Sequence, residues 1–395
     1  MAEEPGQAET PALSPAEGAP VATRSAFGET VAAATELAQR AAVVHVAPAP
    51  HVYSTTLTTR RMMIDVLIAL VPVMVSAVFV FKWYAFKQVG VCILSCLAAE
   101  GVFTAMRGRK PTLWDCSAVV TGAILGLSLP WSAPWFVATI GSVIAIGIGK
   151  VVFGGVGQNI FNPAMVGRAF VMIAFPMSVG ASGYVSPDRD FALNVVTQAT
   201  PMTAAKQKQS PAPAPAAMGT TGPVHLASPP AQAATSLWTL FKGDHNGSLG
   251  EVSAMMCILG GLYLCLRRTA SWEIPAGVLL AVLVIAGLAN LAHPERSWTV
   301  LHHLLGGALL FGSFFIATDP VSSPLTPRGK FIFGAGVGAL VMLIRVFSGY
   351  PEGVMFAVLL MNALVPLINR WTVPTPVGGR VPGPDKSLHD SRSEK

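Results

Sequence analysis

The sequence predicts an all-α polytopic membrane protein: ten transmembrane segments arranged as two inverted five-helix repeats that contain short or broken helices. Three observations lead there. Of 395 residues, 52% are apolar and only 12% charged, about half the charged share of an ordinary soluble domain and too few to solvate a globular surface. The apolar residues fall into ten blocks, most of them near the ~20 residues a helix needs to cross a bilayer. The blocks stand five and five around a polar stretch, with Gly- and Pro-interrupted members in both sets. Broken helices at matching places in two halves surround central sites in repeat-built membrane proteins. The 26 basic and 20 acidic residues leave a net charge of +6, but no basic face forms, which excludes a nucleic-acid-binding protein.

In chain order, residues 1–55 are an Ala/Pro/Glu-rich extension, weakly helical around 29–42, to which no fold is assigned. Met1-Ala2-Glu3-Glu4 is acidic and runs into no apolar block, so no signal peptide is expected. The first repeat, 56–175, holds candidate spans near 63–82, 89–106, 117–130, 135–153 and 161–175. The third is cut short by Pro130 and the fifth begins late, after Asn162-Pro163. Residues 176–248 are polar, and 201–236 within them is low-complexity. The second repeat, 249–370, holds spans near 249–266, 274–291, 301–317, 331–347 and 354–369, and 371–395 form a polar tail. Thr121-Gly122-Ala123-Ile124-Leu125-Gly126 in the third span is similar to Gly306-Gly307-Ala308-Leu309-Leu310-Phe311-Gly312 in the eighth, and each runs into a proline-rich reversal. Five helices per unit insert the second copy upside down.

Lys and Arg in short loops set the orientation. Arg60, Arg61, Arg107, Arg109, Lys110, Lys150, Arg267, Arg268, Arg328, Lys330 and Arg370 share one side, against Lys82, Lys87, Arg296 and Arg345 on the other. Eleven against four places both termini in the cytoplasm and the 176–248 loop outside.

Few residues in these spans can carry chemistry. Asn162 can cap a helix that has Pro163 at its first position. Its N-terminus is either a well-capped re-entrant turn or a set of amide dipoles offered to an anion, flavin or quinone oxygen. Asp65, Glu100, Asp115, Glu251, Asp319 and Glu352 are intramembrane or boundary carboxylates. Most lie close enough to a helix end to be hydrated or paired. Glu100 sits two turns inside its span and is the candidate for a cation path, with Asp319 next. His302-His303 opens the eighth span without a partner for haem, and reads as an interfacial pair. Cys92, Cys96, Cys116, Cys257 and Cys265 lack metal-site spacing, so helix packing is expected of them and no metal centre. Nothing forms a catalytic triad or phosphate cradle.

Longer strings carry a resemblance. Residues 154–168, from Gly154-Gly155-Val156-Gly157-Gln158-Asn159 through Asn162-Pro163-Ala164-Met165 to Arg168, resemble the signature of one membrane family. So do Ala317-Thr318-Asp319-Pro320-Val321-Ser322-Ser323-Pro324, Gly349-Tyr350-Pro351-Glu352-Gly353-Val354 and the run from Met361 to Ile368. The family is the one shared by the D subunit of the Rnf complex (the ion-translocating oxidoreductase complex) and the B subunit of the Na+-translocating NADH:quinone reductase. The likeness covers roughly 50–375 and favours the Rnf branch, to which Thr197-Gln198-Ala199-Thr200-Pro201 is similar.

The resemblance implies a multi-pass subunit of the bacterial inner membrane, in a complex that moves electrons between ferredoxin and NAD+ while translocating Na+ or H+. It implies FMN joined by a phosphoester bond to a threonine, which falls on Thr200, attached by a separate flavin transferase. It implies a second, non-covalent flavin, riboflavin, near the broken helices, and other Rnf-type subunits and membrane lipid as partners. Asn194 stands where the attachment motif has Asp, which would weaken recognition by the transferase. The chain is expected to be an electron-transfer subunit with no catalytic residue of its own. The corresponding subunit of the quinone reductase is the near alternative, and a small-solute channel is the alternative of another class.

Overall fold

The computed structural model describes residues 58–108, 113–179, 236–243, 247–292, 299–348 and 353–374. They are helical, with no sheet among them. Five helices are long and apolar enough to cross a membrane: α1 Thr59–Phe81, α2 Trp83–Met106, α9 Glu273–Ala292, α12 Pro327–Phe347 and α13 Val354–Thr372. Four shorter apolar helices accompany them: α3 Ser117–Ser128, α4 Trp135–Ile146, α5 Pro163–Ala174 and α8 Ala254–Leu266. α6 is the single turn Pro176–Val179 and α7 is Leu237–Lys242. The eighth apolar block divides into α10 Val300–Leu305 and α11 Leu309–Phe311.

On α1, Ile64, Ile68, Val71, Val75 and Phe79 are exposed and recur every three or four residues. Asp65, Ala69, Leu70, Val73 and Ser76 on the opposite face are buried. Apolar outside and partly polar inside is the arrangement a lipid solvent selects.

The helices extend beyond the apolar blocks that predict them. α1 begins at Thr59, whose neighbour Thr58 accepts a hydrogen bond from Arg61 N, and α2 begins at Trp83 and includes Lys87. Hydropathy stops at a charge but backbone hydrogen bonding does not, and a lysine stem can lie along apolar surface with its ammonium in water.

Small residues bring the helices together, as expected where lipid competes for every apolar contact. A Cβ on Gly122 or Gly126 of α3 would stand 2.6 Å from Ile93 Cα or 2.8 Å from Val89 Cα of α2. Gly141 of α4 and Gly167 of α5 face each other, Gly260 of α8 meets the Ala69 carbonyl of α1, and Gly277 of α9 meets Gly334 of α12. One apolar core runs through both sets of helices. A strap from the second set joins the first where Gly250 N and Leu249 N donate to Leu127 O (2.6 Å) and Leu129 O (3.3 Å) at the end of α3.

Two junctions share a plan. α4 runs into a wider π turn, Gly147–Val151, then a glycine loop, then Asn162-Pro163 opening α5. α11 runs into the π turn Gly312–Ile316, then a proline loop, then Thr326-Pro327 opening α12. This likeness pairs the fourth-to-fifth junction with the eighth-to-ninth, a different register from the sequence similarity of the third and eighth blocks. The division of the eighth block falls at Gly306-Gly307, where Gly307 takes a φ of +72°. Buried Arg345 of α12 donates to the carbonyls of His303 (2.6 Å) and Gly306 (2.9 Å), satisfying the end of α10.

Candidate functional site

Both junctions open on one cavity of about 80 Å³, smaller than the ~300–1,000 Å³ of most small-molecule sites. Its walls come from the starts of α1 (Met62, Met63, Val66), α3 (Ser117, Val120, Thr121, Ile124) and α5 (Asn162, Pro163, Ala164). The rest comes from Lys150, the loop residues Val156 and Asn159, the end of α8 with Thr269 and Ala270, and Phe315 with Thr318 through Val321.

Asn162 performs two tasks here. Its Oδ1 accepts from Met165 N (3.3 Å), capping α5 as the sequence predicts, and its Nδ2 donates to Ile316 O (3.2 Å) at the end of the other junction. The turn that delivers it uses Gly154, Gly155 and Gly157 at φ of +126°, +112° and +88°, a region closed to most side chains. Asn159 Nδ2 donates to Phe161 O (3.0 Å). Opposite, Asp319 Oδ1 accepts from Val321 N (3.2 Å) and Oδ2 from Ser322 Oγ (2.9 Å). Burial pushes the Asp319 carboxyl up from its ordinary value, while these two hydrogen bonds pull it down.

The cavity wall holds an ion pair. Lys150 Nζ lies 2.7 Å from Glu100 Oε1 and 2.6 Å from Ser117 Oγ. Both charged side chains are almost fully buried, at 4% and 2% exposure. Ser117 Oγ donates to Asp115 Oδ1 (2.6 Å), which also accepts from Ser117 N (2.8 Å). Glu100, the residue expected on a cation path, is therefore balanced by an ammonium. Sequence reasoning missed Lys150 as a site residue, because it reads as one more boundary charge; its depth and its pairing arise from the π turn.

Asp65 on α1 is buried and accepts from Thr269 Oγ1 (3.0 Å), Tyr263 Oη (3.4 Å) and Arg267 Nη2 (3.4 Å), tying α1 to α8. Glu251 is also buried and accepts from Ser248 N (3.0 Å). His302 is half-buried and belongs to the cap of α10 with Thr299, at 2.8 Å from its hydroxyl. A much smaller space of about 10 Å³ lies beside buried Arg168, among Met165, Met172, Ala308, Ile316, Val354 and Met355. Thr197, Thr200, Asn194 and Glu352 lie outside the described residues.

The cavity is apolar over most of its walls. Lys150 is the one cation among its lining residues and Asp319 the one carboxyl. Because Glu100 already balances Lys150, a phosphate would find no uncommitted positive charge there.

The chain matches the family model described as the NQR2, RnfD, RnfE family over residues 45–378. It is 41% identical over 338 residues to the D subunit of the ion-translocating oxidoreductase complex of Stutzerimonas stutzeri, covering 82% of this chain and 93% of that one. It is 37% identical over 327 residues to the D subunit of the Na+-translocating ferredoxin:NAD+ oxidoreductase complex of Acetobacterium woodii, covering 83% and 93%. It is 35% identical over 335 residues to the D subunit of the proton-translocating ferredoxin:NAD+ oxidoreductase complex of Clostridium ljungdahlii, covering 85% and 96%.

Proposed function

Because the chain belongs to the NQR2, RnfD, RnfE family, we propose that it serves as the RnfD-type membrane subunit of an ion-translocating ferredoxin:NAD+ oxidoreductase complex. The observation that carries this reading is identity of 35–41% to proteins of that name over more than four-fifths of the chain. Those names favour the Rnf branch over the quinone-reductase branch. One relative is named for Na+ and another for protons, so the transported ion is a property to be measured on this chain.

The subunit carries electrons on bound flavin and holds that flavin in position; the redox chemistry belongs to the cofactor. Riboflavin would be a second flavin near the broken helices, with no contacts assigned to it. FMN is joined to Thr200 through a phosphoester bond made by a flavin transferase. The ten helical segments are ten crossings in two oppositely oriented sets of five, in the inner membrane with both termini cytoplasmic. Every wall of the cavity then belongs to a cytoplasmic helix end, and Thr200 to the outer side. Two flavins on opposite faces give electrons a route across the membrane through this chain, with the other Rnf-type subunits as donor and acceptor.

The test is flavin accounting on the chain co-expressed with its partner subunits and a flavin transferase. Fluorescence should stay with the band on a denaturing gel and vanish in Thr200→Val, while acid extraction releases riboflavin from both. A band still fluorescent in Thr200→Val would move the attachment elsewhere. A colourless native preparation would favour a channel.

A further inference from the structure

Arginine concentrates at the end of the protein where α1 begins and α8 stops. The two helices pack antiparallel: a Cβ on Gly260 would meet the Ala69 carbonyl, and further toward that end Asp65 accepts from Tyr263, Arg267 and Thr269. This register brings Arg60 and Arg61, in the first turn of α1, to the same end as Arg267 and Arg268, which follow the last residue of α8. All four are exposed. Arg267 has a carboxylate, Asp65 at 3.4 Å, whereas Arg60, Arg61 and Arg268 make no side-chain hydrogen bond or ion pair among the described residues. The first turn of α1 holds no acidic residue, and the charge of Glu273 reaches Cys265 near the end of α8. Four guanidinium groups thus meet two carboxylates, and the patch keeps a surplus of positive charge.

Other cations on this side are occupied or isolated. Lys150 is paired with Glu100, Lys330 donates to Ser271 Oγ (2.6 Å), and Arg107 donates to Val151 O. Arg328 and Arg370 are exposed but stand singly, one near an end of each of α12 and α13. Arg268 also takes a φ of +57°, at a place after a helix that glycine usually fills. Glycine would serve that turn better, so the turn does not explain the exposed guanidinium. Along the same two helices the exposed side chains then become apolar, with Ile64 and Ile68 on α1 and Leu259, Leu262 and Leu266 on α8. Exposed Trp272 follows Arg268 by four residues, and tryptophan gathers at headgroup level.

We propose that the seam between α1 and α8 binds an anionic phospholipid, its phosphodiester held by Arg61 and Arg268 and its acyl chains lying along Ile64, Ile68, Leu262 and Leu266. Guanidinium meets phosphate oxygens with two N–H groups at once, and basic sites between membrane helices take anionic headgroups. An acidic segment of a partner subunit would match the charge and leave the hydrocarbon below it unexplained. A phospholipid matches both, in the order in which the two helices present them.

The test uses the full-length chain, co-expressed with its partner subunits and purified in phosphatidylcholine–detergent micelles. Phosphatidylglycerol is titrated in and thermal melting is followed, since a bound ligand stabilises by mass action. Arg61→Gln with Arg268→Gln removes two charges and leaves the Asp65–Arg267 pair. Arg328→Gln with Arg370→Gln removes two charges from the same side elsewhere. The wild type should be stabilised by phosphatidylglycerol and not by the same addition of phosphatidylcholine, and about 1 M salt, which screens charges beyond ~3 Å, should shrink the effect. The first variant should need about thirtyfold more phosphatidylglycerol for the same shift, because each basic residue near an anionic membrane surface changes affinity about fivefold. The second should titrate with the wild type. Equal losses in the two variants would mean diffuse attraction without a site and overturn the proposal. So would a wild type indifferent to headgroup charge, or inorganic phosphate acting as strongly as the lipid. A first variant that melts lower in phosphatidylcholine alone would assign Arg61 and Arg268 to the fold, and overturn it as well.

Discussion

At the scale of single residues, what separates Asn162 from Lys150 is the distance over which each acts. Asn162 caps a helix that starts at the next residue, so its role is legible from four consecutive letters. Lys150 meets a carboxylate 50 residues earlier on another helix, and no local pattern announces that. The pair makes a sharp prediction. Lys150→Met leaves Glu100 buried without its ammonium and should cost about 3–5 kcal/mol, and the doubly neutral Glu100→Gln/Lys150→Gln variant much less. Melting in detergent reads both, and equal losses would mean that charge balance is not what the pair provides. Asp319 predicts a pH effect. Burial raises its carboxyl above the ordinary 3.8 in the folded protein, so the folded chain holds that proton more tightly than the unfolded one. Its cost is absent below the unfolded value and grows as pH rises through the folded one. Asp319→Asn keeps an acceptor for Val321 N without the charge. The variant's melting temperature relative to wild type should therefore climb as the pH is raised above about 4, and a gap that narrows instead contradicts the assignment.

At the scale of elements, composition locates helices well and their interruptions badly. Each apolar block contains a helical segment, because length and hydropathy are summed over many residues and one misjudged side chain changes little. The π turns at Gly147–Val151 and Gly312–Ile316 arise from helices packed on either side, which a linear pattern does not contain. α7 is six residues long, too short for any periodicity, and buries Leu240 from a stretch that reads as loop. Glycine, by contrast, reports a specific close approach. A Cβ at Gly334 would collide with the Ile274 backbone of α9, whereas one at Gly287 of α9 meets nothing within 4 Å. Gly334→Val should lower stability by about 3 kcal/mol or more, since a backbone cannot repack as a side chain can. Gly287→Val, equally apolar, should sit within about 0.5 kcal/mol of wild type. Similar melting temperatures for the two would mean that α9 and α12 do not pack through these glycines.

At the scale of the whole molecule, charge and aromatic placement point to one topology. Exposed Trp83, Trp135 and Trp238 lie beside α1–α2, α3–α4 and the start of the second set, while exposed Trp114, Trp272 and Trp371 lie at the opposite ends of the same helices in chain order. If every apolar segment crosses, these are two belts of the kind that anchor a protein at both interfaces. The second belt falls on the side that carries eleven of the fifteen counted loop charges. The cavity is built from helix ends on that same side. Neither signal uses the other: one counts Lys and Arg, the other reads the exposure of a neutral ring. Alkaline phosphatase fused near residue 220 should consequently be active, since it folds only outside the cytoplasm, and a fluorescent protein fused after Lys395 should light up inside. An inactive phosphatase at 220 with correct membrane insertion would invert the molecule. It would put Thr200 on the same face as the cavity and remove the proposed route for electrons across the bilayer.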